Sequence, residues 1–183
     1  METGLRAAAM LKGAAAALTA LSLLLAAGCG EDPFGAGDWK TASAAGVTLE
    51  WRVDGNDLAL RIRAETTGWV AVGFDPEQGM ESANIIIGYY SGGVHVRDDW
   101  GVSESHHQSD TSLGGYDNIL DSDGSETDGV TEIEALIPLD SPDVFDKPLS
   151  EGSTCTVILA RGADGADDYS SQHAAAGTTV IEI

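Results

Sequence analysis

The chemistry available to this chain is narrow. His106 and His107 stand side by side in Ser103-Glu104-Ser105-His106-His107-Gln108-Ser109-Asp110. Imidazole beside carboxylate is a donor set for zinc or copper. Neighbouring residues of a strand point to opposite faces, however, so the two rings do not converge on one ion. No helical or finger spacing supports them, and a surface loop is expected. Residues 121–129 (Asp121-Ser122-Asp123-Gly124-Ser125-Glu126-Thr127-Asp128-Gly129) and 164–168 are acidic enough to suggest calcium loops. An EF-hand needs glycine at its sixth position, and here Gly124 is the fourth residue, so acidic turns are expected instead. Met80 lies among polar neighbours in Pro76-Glu77-Gln78-Gly79-Met80-Glu81-Ser82. A lone methionine is usually a core gap-filler, but core residues are rare in such a turn-like setting. Cys155 sits in an apolar strand-like run, Thr154 to Ala160, and reads as a small buried hydrophobe rather than a reactive thiol. There is no Ser-His-Asp sequence motif and no glycine-rich phosphate loop.

The elements that must position these residues read as strands and turns. Leu49, Trp51 and Val53 alternate with polar neighbours, as do Leu58, Leu60 and Ile62, and Asp54-Gly55-Asn56-Asp57 between them is a turn. The pair makes a hairpin. Residues 68–74 and 83–90 are continuously apolar, as central strands can be. Val94-His95-Val96, Val130 to Ile137, Thr154 to Ala160 and Thr178 to Ile183 continue the series. His95 falls on a strand face, solvated or packed. In the last strand Thr179, Ile181 and Ile183 share one face, with Val180 and Glu182 on the other. The chain carries 23 glycines and 43% hydrophobic residues. Such a composition supports a core with many turns and argues against a helix bundle. The expected fold is all-β, an antiparallel β-sandwich of general immunoglobulin style.

Residues 1–28 read as an export signal. Arg6 and Lys12 supply the positive start, and residues 14–27 form an apolar run too short to span a bilayer. The run ends Leu25-Ala26-Ala27-Gly28-Cys29, which is similar to a bacterial lipobox, although the large aliphatic residue stands one step early. Cys29 is then the lipidated N-terminus of the processed protein. Residues 29–45 are expected to form a flexible tether and 46–183 the folded domain. Processing removes Met1 and Met10, which leaves Met80 as the only methionine.

Three stretches together resemble the DOMON family, named for the dopamine β-monooxygenase N-terminal domain. They are Gly68-Trp69-Val70-Ala71-Val72-Gly73-Phe74-Asp75, followed by Gly79-Met80 and Ala83-Asn84-Ile85-Ile86-Ile87-Gly88; Val94-His95-Val96-Arg97-Asp98-Asp99-Trp100; and the tail from Tyr169 to Thr178. Between them Asp117-Asn118-Ile119-Leu120, Ile137-Pro138-Leu139-Asp140 and Asp146-Lys147-Pro148-Leu149 look like connectors of bacterial members. The resemblance spans about residues 45–183 and implies a β-sandwich. In haem-binding members, such as the cytochrome domain of cellobiose dehydrogenase, a methionine and a histidine hold a non-covalent b-type haem. The methionine follows the glycine before the apolar strand, which is Met80 here, and the histidine precedes the last strand, which is His173. Related bacterial tails often carry arginine after that histidine, where this chain has Ala174-Ala175-Ala176. No Cys-x-x-Cys-His motif occurs, so covalent c-type attachment is excluded.

The expectation that follows is an exported, lipid-anchored electron-transfer domain rather than an enzyme, with Met80 and His173 on the haem iron. The alternative is a haem-free module that binds a sugar or small ligand, with Trp69, Tyr89, Tyr90 and Trp100 as stacking surfaces. A formal net charge of −21 excludes nucleic acid, whose phosphates would be repelled. Signal removal leaves the remainder more acidic still. A redox partner, a membrane cytochrome among them, is therefore expected to present a basic face.

Overall fold

The computed structural model describes Met1 and residues 32–183. The expected signal and Cys29 lie outside the described residues. The strands are β1 (Lys40–Ala44), β2 (Val47–Asp54), β3 (Asp57–Glu65), β4 (Val70–Phe74), β5 (Asn84–Tyr90), β6 (Val94–Ser103), β7 (His106–Ser109), β8 (Asp121–Thr127), β9 (Val130–Pro138), β10 (Thr154–Arg161) and β11 (Ala175–Glu182). One helical turn, α1 (Asp110–Leu113), follows β7. A five-stranded sheet runs β1-β2-β3-β9-β8 and a six-stranded sheet runs β11-β10-β4-β5-β6-β7, and every strand pair is antiparallel. The expected antiparallel sandwich is the observed fold.

Alternation builds the core. In β9 Thr131, Ile133, Ala135 and Ile137 are buried while their neighbours are half-exposed. Leu49, Leu60, Ile62, Phe74, Ile86, Ile133, Leu159 and Ile183 meet between the sheets with no exposed surface. Each such side chain contributes roughly 1.5–3 kcal/mol relative to exposure. β4 is buried at every position and β5 from Asn84 to Gly88, which explains their unbroken apolar runs: the six-stranded sheet is covered on both faces.

Three expectations change. Lys40–Ala44, assigned to the tether, is edge strand β1, paired with β2 from Lys40↔Trp51 to Ala44↔Val47. Residues 106–109, assigned to a loop, are β7 at the edge of the six-stranded sheet. Residues 121–127, assigned to an acidic turn, are edge strand β8, alternately exposed and half-buried. Charged side chains are what an edge strand carries to discourage further pairing, so an acidic strand and an acidic turn look alike in sequence.

Candidate functional site

The outer face of the six-stranded sheet carries a second apolar cluster of Trp69, Ala71, Ala83, Ile85, Ile87 and Ala160. It floors a cleft of about 780 Å³, within the range of cofactor pockets. Small residues leave room above the floor. Ala71, Gly73 and Ala160 are small, and a Cβ on Gly73 would stand 3.3 Å from Ile85 Cγ1.

Two loops wall the cleft. The first, residues 78–83, crosses from β4 to β5. Gly79 has φ +59°, and a Cβ there would meet the Glu104 carbonyl at 2.3 Å, so only glycine lets the turn sit against the β6–β7 hairpin. The Met80 N–H donates to the Glu104 carbonyl (3.1 Å), and the Ala83 N–H donates back to the Met80 carbonyl (3.1 Å). Met80, half-buried, packs on the apolar cluster and lines the cleft. The second wall is the segment between β10 and β11. The Trp69 indole N–H donates to Ser171 Oγ (3.0 Å), and the Ala174 N–H donates to the Arg161 carbonyl (2.8 Å). Asp168 Oδ1 accepts the backbone N–H groups of Ser170 and Ser171, both at 2.6 Å, which hold its carboxyl below the usual range. His173, exposed, lines the cleft from this loop.

A polar triad stands against the second wall. Asp99 has no exposed surface and accepts from Arg97 Nε (2.5 Å), Arg97 Nη2 (2.6 Å) and His107 Nδ1 (2.5 Å). Burial pushes Asp99 upward, and the bonds from His107 and Arg97 overcome it, so the carboxyl rests below its ordinary value. The Arg97 guanidinium also lies 4.2 Å from the Tyr169 ring centre. Burial first, then Tyr89, pushes the Tyr169 hydroxyl up to about 12, so it stays protonated. Arg97 is the one Lys or Arg side chain lining the cleft among the described residues.

The sequence profile of the DOMON domain matches residues 43–162, well over half of the chain. The chain belongs to the DOMON domain family. Similar solved structures are the cytochrome b domain of pyranose dehydrogenase from Coprinopsis cinerea (TM-score 0.55, 12% identity, 74% of this chain and 76% of that one) and the cytochrome domain of Myriococcum thermophilum cellobiose dehydrogenase (TM-score 0.54, 10% identity, 75% and 74%). At such identities the likeness is one of fold. No curated protein matches the sequence.

In this DOMON domain the expected residues separate clearly. Met80 and His173 come from different loops and line one cleft. His106 and His107 line it too, from β7 rather than from a surface loop. His107 turns to Asp99, whereas the exposed His106 ring reaches Gln108 at 3.4 Å. Asp110 joins neither histidine. It is buried beside the buried Asp98 and the half-buried Asp146. Burial and the neighbouring carboxylates push Asp98 and Asp110 up to about 8. Of the four aromatic residues considered for sugar stacking, only Trp69 lines the cleft; it belongs to the cleft floor rather than to the core between the sheets. Tyr89 stacks on His95 (4.8 Å) and Trp100 packs edge-on to Phe145 (6.2 Å). Sequence reasoning missed Arg97 as a cleft residue and Asp99 as the buried carboxylate that holds it. Their i, i+2 spacing on a strand, which puts both on one face, was the available signal.

Proposed function

We propose that the cleft is a b-type haem site, with Met80 and His173 as axial ligands, and that the domain carries electrons between redox partners. The observation that carries the reading is that Met80 and His173, from separate loops, line one cleft with an apolar floor. Likeness of fold to two cytochrome domains supports it. The residues fit such a group: the floor is apolar, Gly73 and the two alanines leave depth, and one guanidinium is at hand for a carboxylate.

A bound haem supplies one-electron oxidation and reduction. The Met80 thioether favours the ferrous form more than a second imidazole would and so raises the potential. Met80 and His173 would both be engaged in holding the iron, so no position on it would remain for a substrate and the domain would act as a carrier rather than a catalyst. The floor excludes water from one face. Arg97, held in place by Asp99, takes the part that the Ala174–Ala176 run cannot, that of a cation for a propionate. We extend the reading to export through residues 1–28, a lipid on Cys29 in the cell envelope, and a redox partner with a basic face.

The test is the absorption spectrum of protein purified with haem available. A sharp reduced-state α band is expected, lost or altered in Met80→Ala and in His173→Ala. A protein that takes up no haem refutes the reading. Glycan binding by colourless protein, unchanged in Met80→Ala, would favour the sugar-binding alternative.

A further inference from the structure

A second polar centre lies on the other side of β6 from the cleft. Strand alternation puts Arg97 and Asp99 on the cleft side of β6 and turns Asp98 to the other side, into the sandwich. One oxygen from each of Asp98, Asp110 and Asp146 lies within 4.8 Å of the others. Asp98 is 2% exposed and Asp110 0%. No Lys, Arg or His pairs with any of the three among the described residues. Carboxylates buried together without a counter-ion are strongly unfavourable.

An independent observation comes from the amides around them. Asn84 is 4% exposed, and its Nδ2 donates to Asp146 Oδ1 (2.9 Å), which sets the amide at the cluster. Its Oδ1 is buried with no hydrogen-bond partner. The same holds for Asp98 Oδ1, both Asp110 oxygens, and Oδ1 of Asn118, whose backbone N–H donates to Asp98 Oδ2 (3.1 Å). Unpaired buried acceptors are rare, and here they belong to two of the three clustered carboxylates and to two residues hydrogen-bonded to that cluster.

We propose that Asp98, Asp110 and Asp146, with the amide oxygens of Asn84 and Asn118, bind a calcium ion. Every donor is a hard oxygen, with no thiolate or imidazole among them, which disfavours zinc and copper. Calcium takes 6–8 oxygens at about 2.3–2.6 Å, so donors across the ion stand roughly 4.6–5.2 Å apart. The three carboxylate oxygens, all within 4.8 Å of one another, fit inside that shell, whereas magnesium keeps several waters and is rarely held by an all-protein cage. The donors come from β5, β6, α1 and the connectors on either side of the β8–β9 hairpin, so the ion ties the two connectors to the six-stranded sheet. This site is distinct from the acidic stretches 121–129 and 164–168.

The experiment takes the full chain, stripped with EGTA, and titrates it with calcium chloride, following heat and melting temperature. One ion per chain is expected, with a rise of about 5–10 °C at a hundredfold excess over Kd. Magnesium at equal concentration should give a much smaller shift. Asp110→Asn and Asp98→Asn should weaken calcium binding at least tenfold. In EGTA they should melt at or above the wild-type temperature, because each removes an uncompensated buried charge. Should either variant fail to fold, the wild-type titration decides. A wild type with no heat and no shift overturns the proposal, as does an equal response to magnesium or a calcium shift that survives in Asp110→Asn.

Discussion

The carbonyl oxygen of Met80 stands 1.6 Å from the point where a Cβ on Gly101 would lie. The turn that carries Met80 is thus docked onto β6 backbone against backbone. Two hydrogen bonds fasten it there, from the Ser82 N–H to the Gly101 carbonyl (2.8 Å) and from the Gly101 N–H to the Ala83 carbonyl (2.9 Å). Gly101→Ala is expected to push the turn away and cost about 1–3 kcal/mol. Denaturant unfolding reads the loss, and a changed reduced-haem band reads the displacement of Met80. A variant with wild-type stability and spectrum would contradict the docking.

Cys155 faces the core, 4% exposed, and burial pushes its thiol up to about 11. The folded state prefers the neutral thiol. Its contribution is therefore fully present below the unfolded value of about 8.5 and is lost as pH rises from there through 11. At pH 8 roughly 0.1% is thiolate in the fold, against about a quarter in the unfolded chain. Alkylation at Cys155, mapped by peptide mass, should be at least about 100-fold slower in native protein than in denatured protein. Cys155→Ala should lose less stability than wild type between pH 9 and 11. Equal alkylation rates in both states would show that the thiol is not buried.

The strands with apolar alternation were legible because burial on one face writes itself into the sequence with period two. β2, β3 and β9 are of this kind. β7 and β8 were not, because edge strands carry polar residues on both faces. One cue for β8 was present: Asp128 and Gly129 have φ +55° and +77°, and Asp-Gly is a favoured pair for a two-residue hairpin turn. Met80 and His173 could be picked out only by their place in a family pattern, since neither type nor spacing links residues so far apart. The cluster of Asn84, Asp98, Asp110, Asn118 and Asp146 was invisible for a stronger reason. Its members come from separate segments, and only the topology gathers them.

Trp39 anchors the segment before β1. The guanidinium groups of Arg52 and Arg61 lie 5.1 Å and 4.8 Å from its ring centre, and Arg61 is itself held by Glu134 (2.6 Å) and Glu50 (3.2 Å). Each cation–π contact contributes about 0.5–1 kcal/mol at an exposed site. Trp39→Ala should cost about 1–3 kcal/mol with the lost apolar contact included. It should also make residues 32–39 the first site of limited proteolysis. The cleft, which this segment does not line, should keep its haem spectrum. Unchanged proteolysis would show that the ring does not anchor the segment.

The formal net charge of −21 gives the last prediction. A domain of this net charge would attract a basic redox partner over a distance set by the Debye length, about 30 Å at 0.01 M salt and 8 Å at 0.15 M. Attraction of this kind acts on encounter rather than on the bound state. Stopped-flow reduction of a small basic cytochrome by the ferrous protein should slow by about tenfold or more between those salt concentrations. An acidic partner should show the opposite slope, because screening then relieves repulsion. A rate indifferent to salt with the basic partner would mean that the charge serves solubility and not recognition.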